Sequence, residues 1–349
     1  MELEVSRVRA ALRAPFAAAH GTVTERELLL VSLAAADGLT GHGEAAPLPS
    51  YDGVSIDDVL GALDACRPAL AANPDAAPVA DVLALCSEAT VVAPALAAID
   101  LALWDLAAQR VREPVWRLLG ATRVPVVTVN RTVAAADRSG AAAEAAQARA
   151  DGFGTVKVKV GIGDDAGRLA AVRAFAGPNV AIRIDANGAW STVTEARVAL
   201  AALEPVGIEL CEEPVAGGAT AARELWEGVD IALALDESAL EPEALVRQAA
   251  DAVCLKIGAC GGIAGLVDAA ARARAAGYQV YVASTLDGPL GIAAALHACA
   301  VIVPERACGL ATLELFDGPA DPIPPIHGTM APPPGAGLGD GLLAWYGCG

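Results

Sequence analysis

The chain contains three lysines, Lys157, Lys159 and Lys256, against 21 arginines. Arginine stays protonated at any working pH, whereas a lysine whose pKa is lowered can give up its proton and act as a base. A sequence that otherwise draws its positive charge from arginine marks these three positions as ones that need an amine. All three lie in apolar, β-like runs, where an unpaired charge is costly. Three carboxylates end runs of the same kind: Asp185 in AIRID, Glu212 in IELCE and Asp236 in ALALD. Hard oxygen donors from neighbouring strands suit a hard, oxygen-loving cation, and water or substrate completes the shell. Lysines on both flanks would reach two faces of a substrate carboxylate held there. The chemistry expected is removal of the proton alpha to that carboxylate. The cation and an ammonium group would stabilise the charge that builds on its oxygens.

Positioning these groups requires strands. From about residue 124, short apolar runs alternate with longer Ala-rich amphipathic stretches at a period near 25 residues. The runs are 126–130, 155–159, 181–185, 208–212, 232–236, 252–256, 279–283 and 308–312. Helical patterns lie between them, such as DDAGRLAAVRAFAG, TVTEARVALAALEP, EPEALVRQAA and GLVDAAARARAAG. Strand and helix in alternation imply an α/β fold with a parallel sheet, and eight units suggest closure into a barrel. In a barrel the C-terminal strand ends converge on one face. Lys159, Asp185, Glu212, Asp236 and Lys256 then follow one another around an arc of one mouth. A single strand-end carboxylate is more often a helix cap, but five such groups in register are hard to explain that way. An open doubly wound sheet would want a Gly-rich phosphate loop after an early strand. The nearest candidates, GIAAALHACA and GACGGIAG, do not fit it.

Residues 1–120 read as a separate α+β unit, with a small antiparallel meander followed by helices at SIDDVLGALDACRPAL and APALAAIDLALWDLAAQRV. The barrel is expected over 121–317. The Pro- and Gly-rich segment 318–349 is expected to pack back on the first unit.

The net charge of −18 argues against nucleic acid or an anionic membrane as partner. None of the eight cysteines forms a CxxC pair or a Cys/His cluster of zinc spacing, which reads as buried free thiols in a reducing cytosol. No signal-peptide pattern opens the chain, and no charge-free apolar run reaches membrane-spanning length. A cytoplasmic location is expected.

Taken together, the motifs resemble the enolase superfamily, and within it the muconate lactonizing enzyme subgroup. They are Lys157-Val158-Lys159, RIDANGAW (183–190), CEEP (211–214), LDES (235–238) and LKIGACGG (255–262), in family order over nearly the whole chain. GHGEAAPLPSYDG (41–53) and AAIDLALWDLAAQ (97–109) resemble the family's capping domain. The resemblance implies a (β/α)7β-type TIM barrel with an N-terminal α+β capping domain completed by the C-terminal tail. It implies Mg²⁺, with Mn²⁺ as the alternative, on Asp185, Glu212 and Asp236, with Lys159 as general base and Lys256 as the lysine opposite. Lys157 would be a neighbour that tunes Lys159, and Asn187 and Glu237 would support the ligands. Relatives of this kind are often homo-oligomers and act on small carboxylates.

Within the subgroup, GEAAPLPSY, VTVNRTVAA with Asn130, CGLAT and PGAGLGDGL lean toward o-succinylbenzoate synthase. N-acyl amino acid racemase, dipeptide epimerase and a muconate-type cycloisomerase remain alternatives. Dipeptide epimerases carry a D-x-D pair near the last strands to hold an ammonium, and STLDG (284–288) offers only Asp287. Candidate substrate contacts are Arg13, His20, Arg26, Asn130, Ser284 and Asp287. Arg13 or Arg26 would clamp a distal carboxylate.

Overall fold

A computed structural model describes residues 1–18, 21–75 and 78–347. The chain opens with β1 (Glu2–Ala18), β2 (Gly21–Ala34) and β3 (Thr40–Ala45), an antiparallel sheet in that order. Helices α1 (Pro49–Asp52), α2 (Ile56–Ala72), α3 (Val79–Ala89), α4 (Ala93–Val111) and α5 (Val115–Leu118) follow. Next come β4 (Val127–Thr128), β5 (Arg131–Val133), α6 (Arg138–Ala150), β6 (Thr155–Lys159), α7 (Asp165–Ala176), β7 (Ala181–Asp185), α8 (Val193–Leu203) and β8 (Ile208–Glu212). The order continues with α9 (Gly218–Trp226), β9 (Leu233–Leu235), β10 (Ala252–Lys256), α10 (Ile263–Ala275), β11 (Gln279–Ala283), α11 (Pro289–Ile302) and β12 (Thr329–Met330).

Strands β5 to β11 form one seven-stranded sheet in sequence order, with every neighbouring pair parallel. Residues 308–309 bond to β11 at one edge and, at the other, to residues 128–130 just ahead of β5. Cys308 N donates to Thr128 O (2.8 Å) and Gly309 N to Val282 O (2.8 Å); Asn130 N and Ser284 N donate back to Cys308 O and Gly309 O. This segment, which is no regular strand, thus lies between β11 and the residues that lead into β5.

The helices start where the sequence supplies caps. Ser55 and Asp58 form a capping box at α2, Asp137 caps α6 and Thr192 caps α8. Helix α4 is buried on most of its circumference. One side packs on β3, and the fit requires glycine: a Cβ on Gly43 would lie 2.0 Å from Ala98 O. From α4, Asp100 accepts a hydrogen bond from Ile263 N (2.5 Å) at the start of α10. The C-terminal residues return to the first unit. Val115 N donates to Gly337 O (3.0 Å), Leu338 N to Asp105 Oδ1 (2.8 Å), and the Tyr346 hydroxyl to Glu44.

Besides the expected strand at 308–312, two sequence expectations need correction. The run at 126–130 is not one barrel strand: β4 pairs antiparallel with β12, and the parallel sheet begins only at β5. Residues 241–250 form turns rather than a helix. Glu241 O and Glu243 O still accept from amides further on, but the later carbonyls are taken by side chains: Tyr278 Oη donates to Ala244 O (3.0 Å), and Arg223 donates to Arg247 O and Gln248 O.

Candidate active site

Side chains two apart on a strand share a face. On β6 this sends Lys157 and Lys159 inward, while Val156 and Val158 are buried between sheet and helices. Lys157 Nζ bridges Asp185 Oδ2 (2.8 Å) and Glu212 Oε1 (2.7 Å). Lys159 Nζ contacts Asp185 Oδ2 (2.6 Å) and Asn187 Oδ1 (2.7 Å). Lys256 Nζ contacts Asp236 Oδ2 at 2.6 Å. All five strand-end groups, with Lys157, thus meet in one buried constellation.

The electrostatics follow from burial and pairing. Burial alone would raise the Asp185 carboxyl, but Lys157 and Lys159 outweigh it and hold the group below the usual carboxylate range. Glu212 is pushed up to about 7, by burial first, with only partial relief from Lys157. For Lys157 and Lys256 burial disfavours the charge, yet Asp185 with Glu212, and Asp236, respectively, raise both above an ordinary lysine. The Lys157 charge is therefore matched by two carboxylates.

Several partners orient these groups. Asn187, in the left-handed region at φ 45°, donates from Nδ2 to Glu237 Oε1 (2.8 Å) while its amide donates to Asp185 Oδ1 (3.0 Å). The second glutamate of CEEP, Glu213, accepts from Asp236 N (2.7 Å) and the Ser238 hydroxyl (3.0 Å). Arg168, almost fully buried, donates to Lys159 O at 2.5 Å. Two tyrosines complete the shell. Tyr281 Oη donates to Glu212 Oε2 (2.8 Å), and Tyr51 Oη donates to Asp236 Oδ1 (3.0 Å). The Tyr51 ring centroid is 3.7 Å from Lys256 Nζ, whereas the Phe16 ring is 5.8 Å from Lys159 Nζ. Nothing in the motifs assigned a role to Tyr281. Its position on β11, two before Ala283, was the available signal.

The expected substrate contacts fare unevenly. Ser284 lines the cavity, its hydroxyl 2.8 Å from that of Thr312. Arg13 and Arg26 do not line it. Arg13 Nε donates to Phe316 O (2.8 Å), and the buried Arg26 donates to Pro47 O (2.9 Å) and Ala46 O (2.8 Å). The expectation that either clamps a distal carboxylate gains no support from this geometry, since neither lines the cavity. Asp287 is buried beneath the wall and accepts from Thr285 Oγ1 (2.8 Å). Asn130 is also buried, with Nδ2 unpartnered among the described residues. His20 lies outside the described residues.

The cavity above the lysines is walled by Phe16, Val23, Leu48, Tyr51, Leu286 and Leu315, with the hydroxyls of Ser50, Thr132, Ser284, Thr285 and Thr312. Among its described lining residues the carboxylates are Asp185, Asp236 and Glu237, and the cations are the three lysines. Asp185, Glu212 and Asp236, each at most 3% exposed, are hard oxygen donors that fit a divalent cation such as Mg²⁺. A tight cluster of donor atoms, all within 4.8 Å of one another, joins Glu212 and Asp236 to Cys254. Asp185 faces the two β6 lysines instead.

Residues 1–120 match the mandelate racemase / muconate lactonizing enzyme N-terminal domain, and residues 140–342 match the enolase C-terminal domain-like family. The chain is 33% identical over 308 residues to an L-Ala-D/L-Glu epimerase of Bacillus subtilis, covering 85% of this chain and 84% of that one. It is 43% identical over 220 residues to an o-succinylbenzoate synthase of Mycobacterium bovis, covering 59% of this chain and 64% of that one. A dipeptide epimerase from Cytophaga hutchinsonii, solved with Mg and the dipeptide D-Ala-L-Val, superposes with a TM-score of 0.86 at 29% identity. That match covers 98% of this chain and 97% of the other.

Proposed function

Because this chain belongs to the mandelate racemase / muconate lactonizing enzyme family of enolase-superfamily enzymes, we propose that it abstracts a proton alpha to a carboxylate and then expels a β-hydroxyl, as an o-succinylbenzoate synthase does. In the same reading the sheet β5–β11, closed through residues 308–309, is a (β/α)7β-type TIM barrel over 121–317. Residues 1–120 are its capping domain, completed by 318–349. The two family matches support that division.

The observation that carries the proposal is the unequal setting of the two lysines. Lys256 is held against Asp236 and covered by the face of Tyr51 at 3.7 Å. A cation so enclosed serves as a fixed positive charge beside the developing enediolate. Lys159 has no ring as close, and Asp185 and Asn187 aim its amine into the cavity. With its proton lost, Lys159 takes the α-hydrogen. The resulting ammonium then hands that proton to the departing hydroxyl, which leaves as water. A divalent cation bound at Asp185, Glu212 and Asp236 supplies Lewis-acid stabilisation of the substrate carboxylate. The apolar wall suits a carbocyclic substrate, and the hydroxyls of Ser284 and Thr312 suit the polar end of its side arm.

The second reading is proton transfer between the two faces of one carbon, as in the epimerase and racemase relatives. Both lysines lining one cavity favours it. Against a dipeptide stands the burial of Asp287, which leaves no carboxylate beyond Asp185, Asp236 and Glu237 among the described lining residues to meet a free ammonium. A head-to-head assay in D₂O separates the readings. Dehydration of the cyclohexadiene precursor of o-succinylbenzoate, without α-deuterium uptake by N-succinyl amino acids or dipeptides, supports the synthase. The reverse pattern rejects it.

A further inference from the structure

Cys254 has no part in the reaction just described. It lies on β10 two residues before Lys256, so both side chains face the interior, with the thiol one layer deeper. It is 1% exposed and donates no hydrogen bond among the described residues. Its sulfur, a Glu212 oxygen and an Asp236 oxygen all lie within 4.8 Å of one another. Cys211 makes the contrast: next to Glu212 on β8, it is turned to the opposite face, away from the cluster.

We propose that Cys254, Glu212 and Asp236 form a sulfur-containing donor set that takes a thiophilic divalent cation such as Zn²⁺ or Co²⁺. This set overlaps the Mg²⁺ set without coinciding with it. Bonds of roughly 2.0–2.3 Å to a tetrahedral ion put its donors about 3.3–3.8 Å apart, so side-chain shifts on the order of 1 Å close the set. Water or a carboxylate would complete the fourth position. Asp185 is held on the far side by Lys157 and Lys159. Binding releases the thiol proton to solvent. Lys157 on Glu212 and Lys256 on Asp236 offset the charge of the three anionic donors. Mg²⁺ does not recruit a thiolate, so two cation classes compete for the same pair of carboxylates. The inference rests on that part of the functional reading which makes Glu212 and Asp236 metal donors, and not on the reaction chosen.

The test is titration of metal-free protein with Co²⁺, reading the thiolate-to-metal charge-transfer band in the near ultraviolet. Wild type is expected to show the band at one Co²⁺ per chain, with excess Mg²⁺ weakening it. Cys254→Ser should lose the band and bind Zn²⁺ more weakly by about tenfold or more. Cys260→Ser, which alters a thiol outside the cluster, should keep it. Should Cys254→Ser fail to fold, Asp236→Asn tests the same set and should weaken the cobalt band. X-ray absorption of wild type with Zn²⁺ should also show one sulfur at about 2.3 Å. Stoichiometric Co²⁺ binding without the band, or a band that survives Cys254→Ser, overturns the proposal. Mg²⁺-dependent turnover of the same preparations reports separately on the reaction.

Discussion

The Tyr51 ring stacks on the Lys256 ammonium at 3.7 Å while its hydroxyl donates to Asp236 at 3.0 Å. One residue of the N-terminal unit thus touches both a lysine and a carboxylate that lie at the ends of strands of the parallel sheet. The contact spans 185 residues of sequence.

Two substitutions separate the roles of Tyr51. Tyr51→Phe keeps the ring and deletes the hydrogen bond, so Mg²⁺ affinity should fall by about fivefold, the equivalent of about 1 kcal/mol, with kcat little changed. Tyr51→Leu removes the ring as well. A cation–π contact out of water is worth about 2 kcal/mol, so kcat should drop by roughly 30-fold. Metal titration and steady-state kinetics on both variants check this. Equal kcat for the two would mean that the ring does not act on Lys256.

His297 makes stability depend on pH. It is fully buried on α11, accepts from Trp116 N (3.1 Å) and faces Leu338 O through Nε2 (3.2 Å). Burial pushes the imidazole down to about 4 from 6.5. Between those values the unfolded chain binds the proton and the folded chain does not. The contribution of His297 is therefore whole above pH 6.5 and is lost as pH falls toward 4. The loss is about 3 kcal/mol. Urea unfolding of wild type and His297→Gln at pH 7 and pH 4.5 should show the gap between them shrinking or inverting at the lower pH. A gap independent of pH contradicts the assignment.

Gly43 sets the seat of α4 on β3. Because its Cβ would lie 2.0 Å from Ala98 O, a backbone atom that cannot rotate away, Gly43→Ala should destabilise by about 3 kcal/mol. Chemical denaturation measures this. A variant as stable as wild type would mean that α4 can shift without cost.

The strand-end residues were legible because both periods are local. Alternation of two places Lys157 and Lys159 on one face, and the repeat near 25 residues places Asp185, Glu212 and Asp236 on adjacent strands. Tyr51 over Lys256 was not, because it depends on how the first unit sits on the parallel sheet. Arg26 stays out of the cavity for a related reason: its two terminal nitrogens donate to Pro47 O and Ala46 O, and a residue type does not reveal which carbonyls lie within reach. The turns at 241–250 show tertiary contacts overriding helical composition. Cys254 was classed with the buried thiols, and only its placement beside Glu212 and Asp236 distinguishes it.

The most direct test of the central claim is conversion of the cyclohexadiene precursor to o-succinylbenzoate by wild type, Lys159→Ala and Lys256→Ala, each with Mg²⁺ and with EDTA. The expected result is Mg²⁺-dependent turnover by wild type, abolished by EDTA. Loss of the proton-transfer group in Lys159→Ala should cost roughly 10²–10⁴-fold, with a large loss in Lys256→Ala as well. Metal-loaded wild-type protein that leaves the precursor untouched, or Lys159→Ala that turns it over at the wild-type rate, would contradict it.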